Sequence, residues 1–255
     1  MATLETMPTL MPAALEATQL ELTAHLQPPD PPPPGLIAQA HPQAVGAEQF
    51  RRLTVSLQHL RRRRPLRRLL VTSAAPGEGK SLSAANLALT LARPGTGRVL
   101  LLEGDLHRPV LPARLGFSCT YGLADWLEGR RGLRDCLLRW PGLPLWLLPA
   151  ARARALPLEL LQATSPDSIL QTLDPLFDWI VVDSPPLLPM ADAAHWAAAA
   201  DGVLLVVRAG HTRRSDLRRA TSQIERERWL GVILNDCSSR EHYYYAQYYS
   251  GKECD

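Results

Sequence analysis

The stretch LLVTSAAPGEGKSLSAANLAL, residues 69–89, decides the fold of this chain. A short apolar run typical of a buried strand leads into a glycine-containing loop, and a helix-type pattern follows. Gly77 and Gly79 let backbone N–H groups approach anionic oxygens, and a loop that opens a helix is a common place for phosphate to bind. The stretch therefore predicts a phosphate-binding loop, although Ala74 replaces the first glycine of the usual G-x-x-x-x-G-K-[ST] pattern. The alternative is an ordinary turn between a strand and a helix.

The end of this loop carries side chains of the kind that bind a nucleoside triphosphate and its metal. Lys80 is expected to contact the β- and γ-phosphates, and the Ser81 hydroxyl is expected to reach Mg²⁺. Pro76 stiffens the entry to the loop. The chain uses arginine almost everywhere else and has one other lysine, Lys252. A slender ammonium fits beside phosphates where a broad guanidinium fits poorly, which favours a functional role for this lysine.

Length and composition restrict the class of protein. The 255 residues, 46% of them apolar, predict one large domain with tails. The net charge of +3 is too small to argue for nucleic acid. We find no apolar run near the ~18–20 residues of a membrane span and no pattern typical of a secretory signal. The four cysteines form no CxxC pair, which predicts reduced thiols in a cytoplasmic protein.

Three segments are expected along the chain. Residues 1–45 are rich in proline and predict a disordered arm, residues 46–240 form the folded domain, and residues 241–255 form a flexible tail. A basic run at Arg61–Arg64 is most simply a solvated edge. Contact with anionic lipid or with an acidic partner segment is the alternative.

Within the folded domain, short apolar runs alternate with helical patterns. Such alternation predicts an α/β fold with a mainly parallel sheet covered by helices on both faces. The expected strands are LRRLLVTSA, RVLLLEGD, LPLWLLPA, DWIVVDSPP, GVLLVVRAG and LGVILND. The expected helices cover 47–60, 81–91, 122–127, 158–173, 191–200 and 215–228.

Carboxylates follow two of these expected strands. Asp183 comes directly after a buried run and is a candidate for holding Mg²⁺ through water. Glu103 and Asp105 stand at the end of another strand, at alternate positions that point to the same side of an extended segment. A single carboxylate at a strand end is often a cap. Two such ends beside a phosphate loop indicate a magnesium nucleotide site.

The chain closes with HYYYAQYYSGKECD, which holds five of the six tyrosines. The segment has neither the period nor the apolar neighbours of a buried aromatic patch. It could be a sticky terminal peptide or a partner-docking strand. The functional interpretation is a set of phosphate acceptors, since each phosphotyrosine would add about −1.5 to −2 charges. The acceptor candidates are Tyr243, Tyr244, Tyr245, Tyr248 and Tyr249.

Taken together, these motifs resemble those of the bacterial tyrosine kinases of capsule and exopolysaccharide synthesis, over about residues 46–251. These are P-loop proteins related to the ParA and MinD ATPases. The Walker A match runs from Thr72 to Ser81, and FDWIVVDSPPLLPMADA matches the Walker B region. LLLEGDLHRP resembles the Walker A′ motif Asp-x-Asp-x-Arg, with Glu103 and His107 in place of its first aspartate and its arginine. MinD-type ATPases carry a signature lysine where Ala75 stands.

The resemblance implies a set of site residues. The ATP-binding set would be Pro76, Gly77, Glu78, Gly79, Lys80, Ser81, Leu82 and Asn235, the last near the adenine. The catalytic set would be Lys80, Glu103, Asp105 and Asp183, with Ser81, Asp105 and Asp183 around the metal. Glu103, or Asp105 if geometry prefers it, would orient or deprotonate the acceptor tyrosine. Glu48 and Arg51 match the family's ring-forming motif Glu-x-x-Arg-x-x-Arg, and Thr54 stands at its third position.

The resemblance also implies a function. The chain would be an ATP- and Mg²⁺-dependent, non-specific protein-tyrosine kinase that phosphorylates its own tail and regulates polysaccharide polymerisation and export. Its expected partners are a separate transmembrane polysaccharide co-polymerase, a tyrosine phosphatase and further copies of itself, in a ring, with no nucleic acid. It would be cytoplasmic and held at the inner face of the plasma membrane by its partner. The alternatives are a MinD/ParA-like ATPase and a catalytically weak nucleotide-binding assembly protein.

Overall fold

A computed structural model describes residues 20–21, 23–93, 95–153 and 155–237. The predicted tail and its five tyrosines lie outside the described residues. The strands are β1 Ala24–His25, β2 Arg68–Ser73, β3 Val99–Glu103, β4 Leu138–Arg139, β5 Leu145–Leu148, β6 Trp179–Asp183, β7 Gly202–Arg208 and β8 Trp229–Asn235. The helices are α1 Ile37–Ala40, α2 Val45–Arg61, α3 Lys80–Leu91, α4 Leu111–Leu115, α5 Leu123–Leu127, α6 Leu133–Cys136, α7 Pro157–Ala163, α8 Pro166–Leu173, α9 Asp192–Ala199 and α10 Arg214–Thr221.

The strands of the described residues form one sheet in the order β1-β4-β5-β3-β6-β2-β7-β8. Its neighbouring strands are parallel except for the antiparallel pair β4 and β5. The central strands β3, β6, β2 and β7 are joined through helices, as parallel strands require. The α/β fold with a mainly parallel sheet, predicted from the alternating pattern, is confirmed.

Both faces of the sheet are buried, because successive side chains of a strand point to opposite sides. In β3, Leu100 and Leu102 belong to one apolar cluster and Val99 and Leu101 to the other. The first cluster packs under α5, α8, α9 and α10, and the second under α2, α3 and α4. This two-sided burial explains why the strands read as continuous apolar runs.

The structure differs from the expected layout at the N-terminal side. Much of the segment expected as a disordered arm packs on the domain: β1 pairs with β4, and the Leu20, Leu26 and Leu36 side chains are buried. The expectation of disorder rested on the proline content. A few buried leucines and one strand pair are nevertheless enough to hold a proline-rich segment against the domain. Asn86 of α3 also fixes it, since its side chain bonds both Gly35 O and Ala38 N.

Two helices are shorter than the sequence predicted. The expected helix over 158–173 is divided into α7 and α8 by the pair Ser165-Pro166, where Ser165 caps α8 by accepting a hydrogen bond from Ser168 N. Pro166 lacks the N–H that a continuous helix would use. The expected helix over 215–228 ends at Thr221, and a 3-10 helix follows at Arg226–Arg228. In the described part of the chain, we see no helix long and apolar enough to cross a bilayer.

Candidate active site

The phosphate loop occupies the connection between β2 and α3, as the sequence predicted. Gly77 and Gly79 have φ values of 81° and 95°, in the region that favours glycine. A Cβ atom at Gly79 would lie 2.1 Å from Asn235 Nδ2, whereas the space beside Gly77 is open. The Asn235 amide also donates to Glu78 O at 3.0 Å. The loop is thus held against the end of β8.

Lys80 begins α3 and meets the chain that follows β3. Its Nζ atom lies 3.3 Å from Asp105 Oδ2. The other carboxylate oxygen, Asp105 Oδ1, accepts a hydrogen bond from Arg108 N at 3.0 Å. Both side chains are largely buried, with 12% of Lys80 and 5% of Asp105 exposed. The structure therefore brings together two predicted site residues that are 25 positions apart in the sequence.

Asp183 ends β6 in register with Val71 of β2 and Glu103 of β3. Its carboxylate is fully buried and makes no hydrogen bond of normal geometry within the described part of the chain, where the Ser81 hydroxyl is a close polar neighbour. Burial raises the pKa of Asp183 to about 7, although the Lys80 charge and the Ser81 hydroxyl act in the opposite direction. A buried carboxylate without partners beside a phosphate loop fits an Mg²⁺ site, because Mg²⁺ takes one or two carboxylates together with phosphates.

Glu103 is held in a different way. Its Oε1 accepts hydrogen bonds from the amides of Val110 and Leu111, and its Oε2 accepts one from Ala150 N at 2.9 Å. Burial raises the pKa of Glu103, and the three amides oppose that shift. The side chain fastens the start of α4 and the end of β5 to β3. Both oxygens of this carboxylate therefore accept hydrogen bonds from the backbone.

A cavity of about 670 Å³ lies at this edge of the sheet. Its walls include most of the residues expected to bind the nucleotide, the metal or both, namely Pro76, Gly77, Gly79, Lys80, Ser81, Leu82, Asp105 and Asn235. Three other expected site residues, Glu78, Glu103 and Asp183, do not line it. Glu78 and Glu103 are turned into the protein by their hydrogen bonds.

Sequence reasoning assigned no site role to several other residues that line this cavity. Arg208 and Asp236 line the cavity and form an ion pair at 2.9 Å. Arg208 is the last residue of β7, and Asp236 directly follows β8. Their position at the ends of two predicted strands was the signal that could have identified them as site residues. Arg108 and Arg114 also line the cavity and are exposed. Arg108 belongs to the Arg-Pro pair that usually follows the Walker A′ motif, although it was not assigned to the site. For Arg114 the signal was weaker, because arginines are frequent throughout this chain.

His107, which replaces an arginine of the Walker A′ motif, lines the same cavity. Its Nε2 is 3.2 Å from Asp192 Oδ2, and the Asp192 side chain is 2% exposed. The nearby Trp196 ring packs so closely on Gly104 that a Cβ there would lie 2.9 Å from it. The pair of His107 and Asp192 therefore connects the Walker A′ segment to the start of α9.

The candidate oligomer contacts lie on α2. Glu48 Oε2 bonds Arg51 Nε at 2.6 Å, and Arg51 also donates to Pro42 O. Thr54, where the motif would have its third arginine, is 5% exposed and donates to Phe50 O. Position 54 thus belongs to the buried face of α2, which includes Ala47 and Leu57.

Several known proteins are similar to this chain in sequence. No protein-family model matches the chain. It is 29% identical over 215 residues to tyrosine-protein kinase YwqD of Bacillus subtilis, covering 84% of this chain and 90% of that protein. It is 34% identical over 173 residues to tyrosine-protein kinase CpsD of Streptococcus agalactiae, covering 67% and 74%. It is 32% identical over 212 residues to the succinoglycan biosynthesis transport protein ExoP of Rhizobium meliloti, covering 78% of this chain and 26% of that protein.

Solved structures agree with these relatives. The kinase domain of the Escherichia coli tyrosine kinase ETK superposes with a TM-score of 0.73 at 25% identity, covering 80% of this chain and 81% of that one. The septum site-determining protein MinD of Pyrococcus horikoshii, solved with Mg-ADP, gives a TM-score of 0.52 at 24% identity, covering 66% and 70%. The second likeness concerns the fold alone and identifies it as that of P-loop nucleotide-binding proteins.

Proposed function

Since the chain belongs to the bacterial tyrosine-protein kinases, we propose that it is an ATP-dependent autokinase that phosphorylates the tyrosines of its own tail. The observation that supports this proposal is the convergence of Lys80, Ser81 and Asp105 on one cavity at the end of the phosphate loop. The acceptors would be Tyr243, Tyr244, Tyr245, Tyr248 and Tyr249, which lie outside the described residues.

The loop residues would bind the phosphates of ATP. Gly77 and Gly79 offer backbone amides, and Lys80 offers a positive charge for the transferring phosphoryl group. Ser81, Asp105 and Asp183 would hold Mg²⁺, which neutralises phosphate charge when bound. The partnerless oxygens of Asp183 support this assignment. Asn235 lies on the cavity wall and would contact the nucleoside end, as proposed from the family resemblance.

The geometry favours Asp105 over Glu103 as the residue that accepts the acceptor's proton. Asp105 lines the cavity beside Lys80, whereas Glu103 does not line it and is held away by three backbone amides. In the step, the tyrosine oxygen forms a bond to the γ-phosphorus and the bond from that phosphorus to the β-phosphate oxygen breaks. The tyrosine proton passes to Asp105, and ADP leaves with the bridging oxygen.

Incubation with γ-labelled ATP followed by phosphopeptide mapping tests the proposal. We expect label on residues 243–249 of the wild type and none in Lys80→Met. Tyr121→Phe is a matched control, because this tyrosine lies outside the tail and contacts Arg131. Release of inorganic phosphate without labelled tyrosine would instead indicate a MinD/ParA-like ATPase. ATP binding without turnover would indicate a nucleotide-binding assembly protein, the outcome that the altered Walker A′ motif favours.

The relatives suggest where the kinase acts. CpsD and YwqD are named tyrosine-protein kinases, and ExoP is named a transport protein of succinoglycan biosynthesis. We propose that this chain regulates polymerisation or export of a polysaccharide at the inner face of the plasma membrane. A transmembrane co-polymerase would activate it, and a tyrosine phosphatase would reverse the modification. Mass spectrometry of the tail after expression with and without a candidate activator tests the first partner, and equal phosphorylation in both would exclude it.

Assembly into a ring belongs to the same proposal. Glu48 and Arg51 lie on the partly exposed side of α2, where another copy could reach them. Added charge on the tails would separate the subunits by repulsion. Mass photometry of unphosphorylated and phosphorylated protein measures this, and equal oligomer sizes would contradict it. Arg51→Ala should lower the oligomer size, while Arg134→Ala, an exposed arginine on α6, should leave it unchanged.

A further inference from the structure

Glu78 is a charged residue of the phosphate loop that does not reach the cavity. It stands between Gly77 and Gly79 and is 4% exposed. A carboxylate is costly to bury unless its oxygens accept hydrogen bonds. Here Oε2 accepts from Ala75 N at 3.1 Å, and Oε1 accepts from the hydroxyl of Thr212 at 2.5 Å. Thr212 lies 134 positions further along the chain, in the turn between β7 and α10.

The turn around Thr212 fixes the direction of that hydrogen bond. Arg208 N donates to Thr212 Oγ1 at 2.9 Å, so the single hydroxyl proton is available for Glu78. Thr212 N in turn donates to Arg208 O at 3.1 Å, which closes the turn. The Arg208 side chain lines the cavity and pairs with Asp236. One hydroxyl thus joins the phosphate loop to the end of β7, where the Arg208 side chain lines the cavity.

From these contacts we propose that Thr212 is a positioning residue for nucleotide binding. Its hydroxyl holds Glu78 inside the protein and thereby keeps Gly77 and Gly79 on the cavity wall. Nothing in the sequence motifs assigns Thr212 this role, because it lies outside both the phosphate loop and the strand-end carboxylates. The inference rests on the proposed function in so far as the cavity takes a nucleotide.

Loss of the hydroxyl would act on binding rather than on folding alone. Without Thr212 as donor, Glu78 Oε1 keeps no hydrogen-bond donor among the contacts that the structure shows. The carboxylate would then turn towards solvent, and the cavity that its neighbours Gly77 and Gly79 line is an adjacent open space. A negative charge would enter the place where phosphates bind, and the loop would lose an anchor that acts together with the Asn235 amide on Glu78 O.

The test is Thr212→Val, which keeps the shape of the side chain and removes the hydroxyl. We expect the Kd for the fluorescent analogue N-methylanthraniloyl-ATP, with Mg²⁺, to rise about tenfold, equivalent to about 1.4 kcal/mol. KM for ATP should rise similarly and kcat should fall less than about threefold, because the chemical groups stay in place. Thr212→Ser keeps the donor and should bind within about twofold of wild type.

Two further variants distinguish the effect of the hydrogen bond between Thr212 and Glu78 from a general loss of structure. Thr172→Val removes a hydroxyl that bonds Ser168 O on the surface of α8 and should leave the Kd unchanged. In a Glu78→Gln background, Thr212→Val should add less than about threefold, because the charge that the hydroxyl restrains is gone. If Thr212→Val does not fold, as judged by its thermal unfolding, Thr212→Ala against Thr212→Ser makes the same comparison.

The outcomes distinguish this inference from the proposed function. A Thr212→Val protein that binds nucleotide as tightly as wild type overturns the inference alone. So does a tenfold loss that persists in full in the Glu78→Gln background. A wild-type protein that binds no nucleotide overturns the proposed function together with the inference.

Discussion

Glu103 and Asp183 are paired residues of the neighbouring strands β3 and β6, yet their carboxylates have opposite environments. Glu103 accepts three backbone hydrogen bonds, whereas Asp183 accepts no backbone hydrogen bond from the described residues and has the Ser81 hydroxyl beside it. Both are buried, so the difference lies in hydrogen bonding rather than in exposure. A saturated carboxylate stabilises the local fold, and a partnerless one can bind a cation. This contrast gives Glu103 a structural role and supports our proposal that Asp183 binds the metal.

Glu103→Asp should destabilise the protein although aspartate is the residue of the family motif. The shorter side chain cannot reach the amides of Val110, Leu111 and Ala150 together. We expect a loss of about 1–3 kcal/mol in the free energy of unfolding, measured by urea denaturation, and no gain in tail phosphorylation. Glu103→Gln keeps the length but should also destabilise the protein, because its amide nitrogen cannot accept and would leave at least one of these N–H donors without its partner. A tenfold gain in phosphorylation with unchanged stability would instead place this carboxylate in the chemistry.

Asp183 should make the nucleotide-free protein less stable as pH rises. Its folded pKa of about 7 lies above the usual value of 3.8, so between these values the folded state holds a proton that the unfolded chain has released. The contribution of this group to the free energy of unfolding is therefore fully present at low pH. It falls by roughly 2–4 kcal/mol as the pH rises from about 4 to about 7. Urea denaturation from pH 5 to 8 measures the slope.

Asp183→Asn should flatten this pH dependence and abolish Mg²⁺-dependent ATP binding. Asp135→Asn on the exposed side of α6 serves as the matched control and should keep the wild-type slope. An Asp183→Asn protein with the wild-type slope would show that another group is responsible. Retained Mg²⁺-dependent binding would remove Asp183 from the metal site.

Asp105→Asn should lower tail phosphorylation by about 100-fold or more, because the amide cannot accept the tyrosine proton. Nucleotide should still bind, since the loop amides, Lys80 and the other two proposed metal residues, Ser81 and Asp183, remain. Asp236→Asn is the comparison within the same cavity. Its ion pair with Arg208 is exposed, and surface pairs contribute about 0–1 kcal/mol. The loss of tail phosphorylation in Asp236→Asn should therefore stay within about fivefold. Equal losses in the two variants would count against a proton-accepting role for Asp105.

Gly79→Ala should abolish nucleotide binding, whereas Gly77→Ala should weaken it only moderately. Both glycines have positive φ, which disfavours alanine by about 1–2 kcal/mol. Only at Gly79 would the new Cβ collide, at 2.1 Å from Asn235 Nδ2, while the space beside Gly77 is open. Calorimetric titration with Mg·ATP measures both. Asn235→Ala, which removes the colliding amide, should partly restore binding to Gly79→Ala if the collision is the cause.

The sequence by itself determined the fold and the location of the site. Continuous apolar strands alternating with helices require a sheet buried on both faces, and a Gly-Lys-Ser loop between a strand and a helix places a phosphate site at the strand ends. Lys80, Ser81 and Asp105 line one cavity there. These features follow from local periodicity and residue type, which a single chain segment carries.

The tertiary structure alone decided which of the site's polar residues face the cavity. The sequence placed Glu103 and Asp105 on the same side, but β3 ends at Glu103 and the strand rule does not extend past Gly104. Thr212 could not be recognised because its partner Glu78 is 134 residues away. Hydrogen bonds between distant segments determine the direction in which a carboxylate points, and the order of residues along the chain does not contain that information.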